Sequence, residues 1–233
     1  MCERIVQFHS KQTYAQALGW YEGGLACSPG DRIAHWNVPP GSQPWLLHRI
    51  GNPQGQIDMV NWGLRSPFAG ERGIPLVSSV RIDHARNGPY FKTMFRTGRA
   101  VVPVDGWYEW TGGVQNGQPW HIRRVSREPF FLAAIGSYRA HNIVADGTGF
   151  VIVCAVEGGG LIDPRNQRPI ALSRMGALQW IDHSLSVEQA AEVACSYSIG
   201  AEEFEYFPVG QAVNRLGSNG SQLLIPISAC LDA

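Results

Sequence analysis

Two nucleophiles are available at the start of the chain. Removal of the initiator methionine is usual when the second residue is small, and Cys2 then carries a free α-amine beside its thiol. The pKa of an α-amine is about 8 and that of a cysteine thiol about 8.5, so part of each group is reactive near neutral pH. The thiol can attack an acyl carbon. Alternatively, the amine can condense with an aldehyde and the thiol can close on the imine as a thiazolidine. Otherwise Cys2 is only a small residue at a chain end.

A second candidate is Glu109, which lies in the segment DGWYEW at 105–110. A β-strand here places Trp107 and Glu109 on one face and Tyr108 and Trp110 on the other. A carboxyl group flanked by aromatic rings is partly desolvated, which would raise its pKa and let it transfer protons near pH 7. The alternative is an edge-strand glutamate whose carboxylate lies in water.

Polar residues alternate along a strand predicted at 74–82. A period of two places Ser79, Arg81 and Asp83 on one face. Such a polar stripe indicates a site, and the guanidinium of Arg81 can hold a phosphate by a forked contact. A structural ion pair between Arg81 and Asp83 would explain the same pattern.

Aromatic residues lie beside rigid turns in WNVPPG at 36–41 and WGL at 62–64. Aromatic rings near arginines are the elements with which proteins bind single-stranded nucleic acid, but such residues are equally typical of a core. The loop RNQRP at 165–169 follows three glycines at 158–160. Loops after strands often carry function, yet the sequence alone gives this one no role.

These residues must be positioned by an α+β fold, with a strand-rich core and three or four helices packed on it. Ser10 caps a helix over 10–21, Gly98 ends one over 89–97, and Ser186 with Gln189 forms a capping box for 187–195. A weaker helix pattern covers 174–180. No repeat or low-complexity linker divides the chain, so we expect one domain over 1–233. Strands are predicted at 44–50, 57–62, 74–82, 99–104, 107–110, 119–125, 129–135, 149–156, 204–208 and 222–227.

Composition limits the function classes. Lys+Arg and Asp+Glu each number 19 in 233 residues, so the chain as a whole is not basic. The segment 81–99 nevertheless carries five basic residues against Asp83 alone, which permits one basic face. No apolar run reaches the roughly 18 residues of a membrane helix and no signal peptide is evident, so we expect a cytoplasmic protein. The 5 cysteines and 7 histidines lack metal-site or disulfide spacing.

Taken together, these segments resemble the SOS response-associated peptidase (SRAP) family, in a divergent bacterial or phage-type form. The resemblance follows nearly the whole chain in order. It implies a single SRAP-type domain whose core is a mixed sheet or partly open barrel with a few flanking helices. The segments that carry it are MCER at 1–4, WNVPPG at 36–41, WGL at 62–64, the strand of Arg81, DGWYEW at 105–110, AAIG at 133–136, Arg168-Pro169 and PVGQAVN at 208–214.

The resemblance implies a protein that shields abasic sites in single-stranded DNA. In this family the mature N-terminal cysteine condenses with the ring-opened sugar aldehyde into a stable thiazolidine crosslink. The family name records an older proposal of a self-processing peptidase. We expect no cofactor, no metal, no membrane association and a monomer. By resemblance the catalytic positions are Cys2, Glu109, Ser79 and Arg165, and the DNA-binding positions are Arg4, Asn37, Trp62, Arg81 and Arg168.

The chain departs from the family pattern at four positions. Ser79 replaces an asparagine and lacks its amide fork, and Asp83 shortens a glutamate. Arg165 replaces the catalytic histidine and cannot act as a general base, although it can hold a phosphate or an oxyanion. Glu3 replaces a glycine beside Cys2.

These departures leave three functions open, and with them the question of whether the protein is an enzyme. In the first, crosslinking survives with slower kinetics, because Cys2 and Glu109 are present and thiazolidine closure needs no histidine. In the second, the protein binds single-stranded or damaged DNA without efficient chemistry. In the third, Cys2 acts as the nucleophile of a peptidase, although no histidine base can be assigned to it.

Overall fold

The structure is a computed structural model that describes residues 4–21, 26–27, 33–64, 76–112, 117–138, 148–156 and 168–227. These residues form largely antiparallel sheets with helices packed against one face of them, the arrangement of an α+β protein. The strands are β1 (Arg4–Gln7), β2 (Ala26–Cys27), β3 (His35–Val38), β4 (Trp45–His48), β5 (Gln56–Met59), β6 (Ser79–Arg81), β7 (Arg99–Val104), β8 (Gly106–Thr111), β9 (Gln118–Arg124), β10 (Phe130–Ser137), β11 (Gly149–Cys154), β12 (Ala171–Leu172) and β13 (Phe204–Pro208). The helices are α1 (Lys11–Leu18), α2 (Ile82–Asn87), α3 (Lys92–Thr97), α4 (Arg174–Trp180) and α5 (Val187–Ser196).

The strands form two sheets. The first sheet has the order β13-β9-β8-β1-β3, and all of its neighbouring strands are antiparallel. The second sheet has the order β2-β5-β4-β7-β10-β11-β6, with β12 also paired to β10. It is mixed, because β2 runs parallel to β5 and β6 runs parallel to β11. Within the described strands neither sheet closes into a barrel.

The buried apolar residues form three clusters, because strand side chains alternate between the two faces of a sheet. We call the cluster between the sheets the inter-sheet core; it includes Ile5, Trp62, Trp107, Phe150 and Ile152. The helix-side core packs the other face of the second sheet against the helices and includes Leu18, Val80, Phe95, Val153 and Trp180. The outer cluster covers the other face of the first sheet and includes Val6, Tyr108, Trp110, Val209 and Val213.

Most of the helices were predicted from local capping residues in the sequence. The side chain of Ser10 accepts from the N–H of Thr13, and Ser186 with Gln189 forms the predicted capping box. The helix predicted over 174–180 has those bounds. The helix predicted over 89–97 begins only at Lys92, because residues 89–91 form a turn, but Gly98 follows its end as expected.

Two further predictions of secondary structure were wrong. The segment 222–227 is not a strand: residues 221–224 form a single 3-10 turn, and only Pro226 bridges to Val209. The strand predicted at 74–82 ends at Arg81, and residues 82–87 form α2, which was not predicted. Strands β1 and β3 were also not predicted, because polar residues interrupt their apolar pattern. A single domain over 1–233 stays a prediction.

Candidate functional site

Glu109 lies on β8, an interior strand of the first sheet with β1 on one side and β9 on the other. It is only 6% exposed. Trp107 packs in the inter-sheet core, whereas Tyr108 and Trp110 pack in the outer cluster. Glu109 therefore faces the space between the sheets, as Trp107 does. The alternation predicted for this segment is confirmed, and the alternative of an exposed edge-strand glutamate is wrong.

Arg4 begins β1 and lies directly opposite Tyr108 in the neighbouring strand. It is 7% exposed. Opposite residues of an antiparallel pair share a face, so Arg4 belongs with Tyr108 on the outer face of the first sheet, not with Glu109. Cys2, two residues earlier, lies outside the described residues.

Ser79 and Arg81 lie on β6, the last strand in the described order of the second sheet. Ser79 is opposite Ile152, which packs in the inter-sheet core, whereas Val80 packs in the helix-side core. Ser79 and, two residues later, Arg81 therefore face the first sheet. Glu109 faces the second sheet from the opposite side. The side chains of Ser79, Arg81 and Glu109 are therefore all directed into the layer between the two sheets.

Asp83 is not on the strand face where the sequence placed it. Since α2 begins at Ile82, Asp83 lies in the first turn of that helix. Its carboxylate accepts hydrogen bonds from Arg81, at 3.2 Å from Nε and 2.9 Å from Nη2, and from the backbone N–H of His84 at 2.9 Å. The hydrogen bond from Arg81 is the main cause that lowers the pKa of Asp83 below its ordinary value. The ion pair that the sequence left open is present.

Arg168 lies beside the same strand, β11, as Arg81. Its carbonyl accepts from the N–H of Ala155 at 2.9 Å, and the next residue, Pro169, bridges to Cys154. Cys154 is also the residue opposite Arg81. Both arginines therefore flank the same end of β11. Arg165 and the glycines at 158–160 lie outside the described residues.

Asn37 and Trp62 both make contacts inside the protein. The buried amide of Asn37 donates to the carbonyls of Val213 at 3.0 Å and Ser218 at 3.2 Å, and so holds the C-terminal segment against β3. Trp62 has no exposed surface, and its indole N–H donates to the carbonyl of Ser78 at 2.9 Å. Trp62 therefore fixes the residue directly before β6. The direct contact of either residue with DNA stays a prediction.

Sequence reasoning missed a polar cluster around Asp105, the first residue of the DGWYEW segment. The carboxylate lies 2.6 Å from Nδ1 of His9 and accepts from the hydroxyl of Tyr14 at 2.5 Å and the backbone N–H of Phe8 at 2.7 Å. The hydrogen bond to Asp105 raises the pKa of His9, although burial acts in the opposite direction. Four residues of strand, about 13 Å, separate Asp105 from Glu109, so the cluster fixes the corner before β8 and does not join Glu109. An aspartate directly after the strand predicted at 99–104 was the available signal.

His121 does not replace the histidine that the family carries at the position of Arg165. It lies opposite Tyr108, on the face of the first sheet away from Glu109. Neither ring nitrogen has a hydrogen-bond partner in the described structure, and burial lowers the pKa of His121 to about 3. A Cβ at Gly106 would lie 2.5 Å from Nε2 of His121, so the glycine of the DGWYEW segment makes room for this ring.

Within the parts of the chain that the structure describes, no three His, Cys, Asp or Glu side chains converge as a metal site. No helix in the same parts is long and apolar enough to cross a membrane.

Comparisons with known proteins extend over most of the chain. The chain is 31% identical over 228 residues to the abasic site processing protein YedK of Escherichia coli (strain K12), covering 97% of this chain and 100% of that protein. The crystal structure of a phage-related protein from Bordetella bronchiseptica matches with a TM-score of 0.73 and 27% identity, covering 89% of this chain and 94% of that one. A protein from Bacteroides thetaiotaomicron shares the fold, with a TM-score of 0.66 and 19% identity over 83% of this chain and 85% of that one.

The family follows from the sequence itself. Residues 1–216 match the family described as SOS response associated peptidase (SRAP). This range includes every segment on which the resemblance was based, from the N-terminal MCER to PVGQAVN at 208–214. The mixed sheets and flanking helices agree with the fold of the solved relatives. The chain therefore belongs to the SRAP family.

Proposed function

We propose that this protein senses and shields abasic sites in single-stranded DNA, and that it does so by forming a thiazolidine crosslink through Cys2. A relative that is 31% identical over 97% of this chain is named as an abasic site processing protein. The proposal includes a monomer that acts in the cytoplasm. The observation that carries it is the placement of Glu109, a carboxyl group buried on an interior strand next to β1.

Chain connectivity limits how far Cys2 can lie from Arg4. Only Glu3 separates Cys2 from Arg4, so two trans peptide bonds limit the distance between their Cα atoms to about 7.6 Å. Arg4 lies directly opposite Tyr108, the residue before Glu109. Chain connectivity thus ties Cys2 to Arg4, whose strand pairs with β8, the strand that carries Glu109.

The reaction needs no oxidant and no cofactor. The α-amine of Cys2 attacks the C1′ aldehyde of the ring-opened sugar, and the resulting carbinolamine loses water to give an imine. The thiolate then adds to the imine carbon, and its proton ends on the ring nitrogen. One C–N and one C–S bond form, the C=O bond is broken, and one water leaves. In this scheme Glu109 protonates the departing hydroxyl and accepts the thiol proton.

Ser79 and the two arginines serve the strand around the lesion. Ser79 can donate one hydrogen bond and accept others toward the opened sugar, in place of the family's asparagine. Arg81 and Arg168 flank one end of β11, and each can neutralise a phosphate of a bound strand. Arg165, in the same segment 165–169 as Arg168, can supply a further cation but cannot act as a general base.

A denaturing gel tests the proposal. The purified protein is mixed with an oligonucleotide that carries one abasic site, and mass spectrometry first confirms that Met1 has been removed. We expect a heat-stable shifted band that is absent in Cys2→Ala and much slower to form in Glu109→Gln. An undamaged oligonucleotide of the same sequence is the control and should give no band.

Two other outcomes would favour the alternatives. Salt-dependent binding of single strands without a covalent band, from protein with a free Cys2 amine, would indicate a binding protein whose chemistry was lost with the changes at Ser79 and Arg165. Cleavage of a supplied peptide that disappears in Cys2→Ser would support a peptidase instead. Either result would replace the crosslinking proposal.

A further inference from the structure

Among the described residues, the contacts of the Arg81 guanidinium lie along one edge. Its planar group has five N–H donors, and Asp83 accepts from Nε at 3.2 Å and from Nη2 at 2.9 Å, which is the side-on edge. Within the described residues no acceptor contacts Nη1. In the part of the chain that the structure describes, the end-on edge, formed by Nη1 and the second hydrogen of Nη2, therefore has no acceptor. The side chain of Arg81 is 37% exposed, so a ligand in solution can reach it.

The carboxylate that holds Arg81 is itself fixed. Asp83 accepts from the backbone N–H of His84, in the first turn of α2. Arg81 is fixed from the other side, because it pairs with Cys154 in the sheet. Strand and helix are thus joined through one carboxylate at the point where β6 ends. This orients the free edge of the guanidinium before any ligand arrives.

We propose that Asp83 is a positioning residue for DNA binding, which holds Arg81 side-on so that its free end-on edge meets a backbone phosphate of a single strand. The inference rests on the proposed function and adds a role for Asp83 to it. A planar fork matches two phosphate oxygens only in one orientation, so fixing that orientation in advance lowers the entropy lost on binding.

The charge of Asp83 acts against this benefit. A carboxylate near the bound phosphate repels it, but this repulsion acts between partly exposed groups and is screened over about 8 Å at physiological salt. The benefit of a fixed guanidinium is not screened. The two effects therefore separate with ionic strength, and positioning dominates at physiological salt and above.

The experiment measures affinity for a short oligothymidylate without abasic sites, by fluorescence anisotropy at low and physiological salt. At physiological salt we expect Asp83→Ala to bind roughly three- to tenfold more weakly than the wild type, and the deficit to shrink at low salt. Asp83→Glu should restore affinity, since it keeps a carboxylate. Glu188→Ala is the matched control, because Glu188 is also an acidic residue in the first turn of a helix but makes no ion pair with Arg81.

A second pair of variants shows whether the effect passes through Arg81. In the Arg81→Met background, Asp83→Ala should not weaken binding at physiological salt, because no guanidinium is left to position and only the screened repulsion by the carboxylate is lost. Equal or tighter binding by Asp83→Ala alone at physiological salt would overturn the inference and make Asp83 a competitor of DNA. So would an equal effect in both backgrounds. Absence of any binding by the wild type would overturn the proposed function as well, which separates the two failures.

Discussion

The indole Nε1 of Trp110 donates a hydrogen bond of 2.8 Å to Oδ1 of Asn214, which ties the end of β8 to the C-terminal part of the chain. The amide of Asn214 donates in turn to the side-chain oxygen of Gln211, and the amide of Gln211 donates to the carbonyl of Gly117 at 3.0 Å. A chain of side-chain amides therefore supports the residue directly after Glu109, close to the β8–β9 hairpin.

Asn214→Leu tests this support. The substitution leaves the buried indole N–H of Trp110 without its acceptor, and we expect it to lower the free energy of unfolding by about 1–3 kcal/mol. Urea denaturation followed by tryptophan fluorescence measures the change. Gln54→Ala, at an exposed turn, is the control and should change stability by less than about 0.5 kcal/mol. A loss no larger than that of the control would show that the contact contributes nothing.

Trp62→Phe separates a structural from a DNA-contacting tryptophan. The ring is fully buried, so we expect a loss of about 1–3 kcal/mol from the missing hydrogen bond to Ser78 and the smaller ring. If Trp62 supports the fold alone, the variant should bind single strands as the wild type does at a temperature where it is fully folded. Anisotropy and urea denaturation on the same samples check both halves. Weakened binding with unchanged stability would instead show that Trp62 contacts DNA.

The pair of His9 and Asp105 predicts a loss of stability toward alkaline pH. The pKa of His9 in the folded state is raised above 6.5. The contribution of the pair to stability is therefore complete below about pH 6.5 and is lost as the pH rises through the folded pKa of His9. The loss should be small, because the His9 side chain is 32% exposed and its neutral ring can still donate to Asp105. Urea denaturation across this range should show a decline in the wild type that His9→Gln lacks. Parallel curves for the two proteins would refute the assignment.

His121 predicts the opposite dependence, a loss of stability toward acid. Its folded pKa is about 3, so between 6.5 and 3 the unfolded chain binds a proton that the folded chain does not. This lowers the free energy of unfolding by up to about 1.4 kcal/mol for each pH unit below 6.5. His121→Leu should remove this part of the acid dependence. It should cost little at neutral pH, since neither ring nitrogen is paired with any residue that the structure describes. Denaturation curves at several acid pH values compare the slopes; identical slopes would contradict the prediction.

Local signals predicted much of the fold because their physical cause is local. The side chain of Ser10 accepts from a backbone N–H only three residues away, so a short stretch of sequence contains the whole interaction. Alternation likewise predicted that Trp107 and Glu109 share a face of β8. The strands at 99–104 and 204–208 had the predicted bounds for the same reason.

What escaped prediction depends on partners far along the chain. Gln7 looks like a surface residue, but it is buried and bonds the backbone of Trp45 and Pro103, the latter 96 residues away. A polar residue thus sits in β1 because distant carbonyls satisfy it. The same holds at the site: the burial of Trp62 depends on its contact with Ser78 and on the inter-sheet core, neither of which has a signature within WGL.

The hydrogen bond between the amide of Asn37 and the carbonyl of Ser218 joins residues 181 positions apart, so it forms only late in synthesis. The first sheet needs β13, which begins at Phe204, to complete the edge beside β9. A nascent chain has its first strand long before it has the last one, so the sheet that carries Glu109 is finished only when translation is nearly over. Folding that depends on such distant pairings is slow, on the order of milliseconds to seconds. Ribosome-bound chains that stop before residue 204 should therefore be inactive, even though every proposed catalytic residue has already been made.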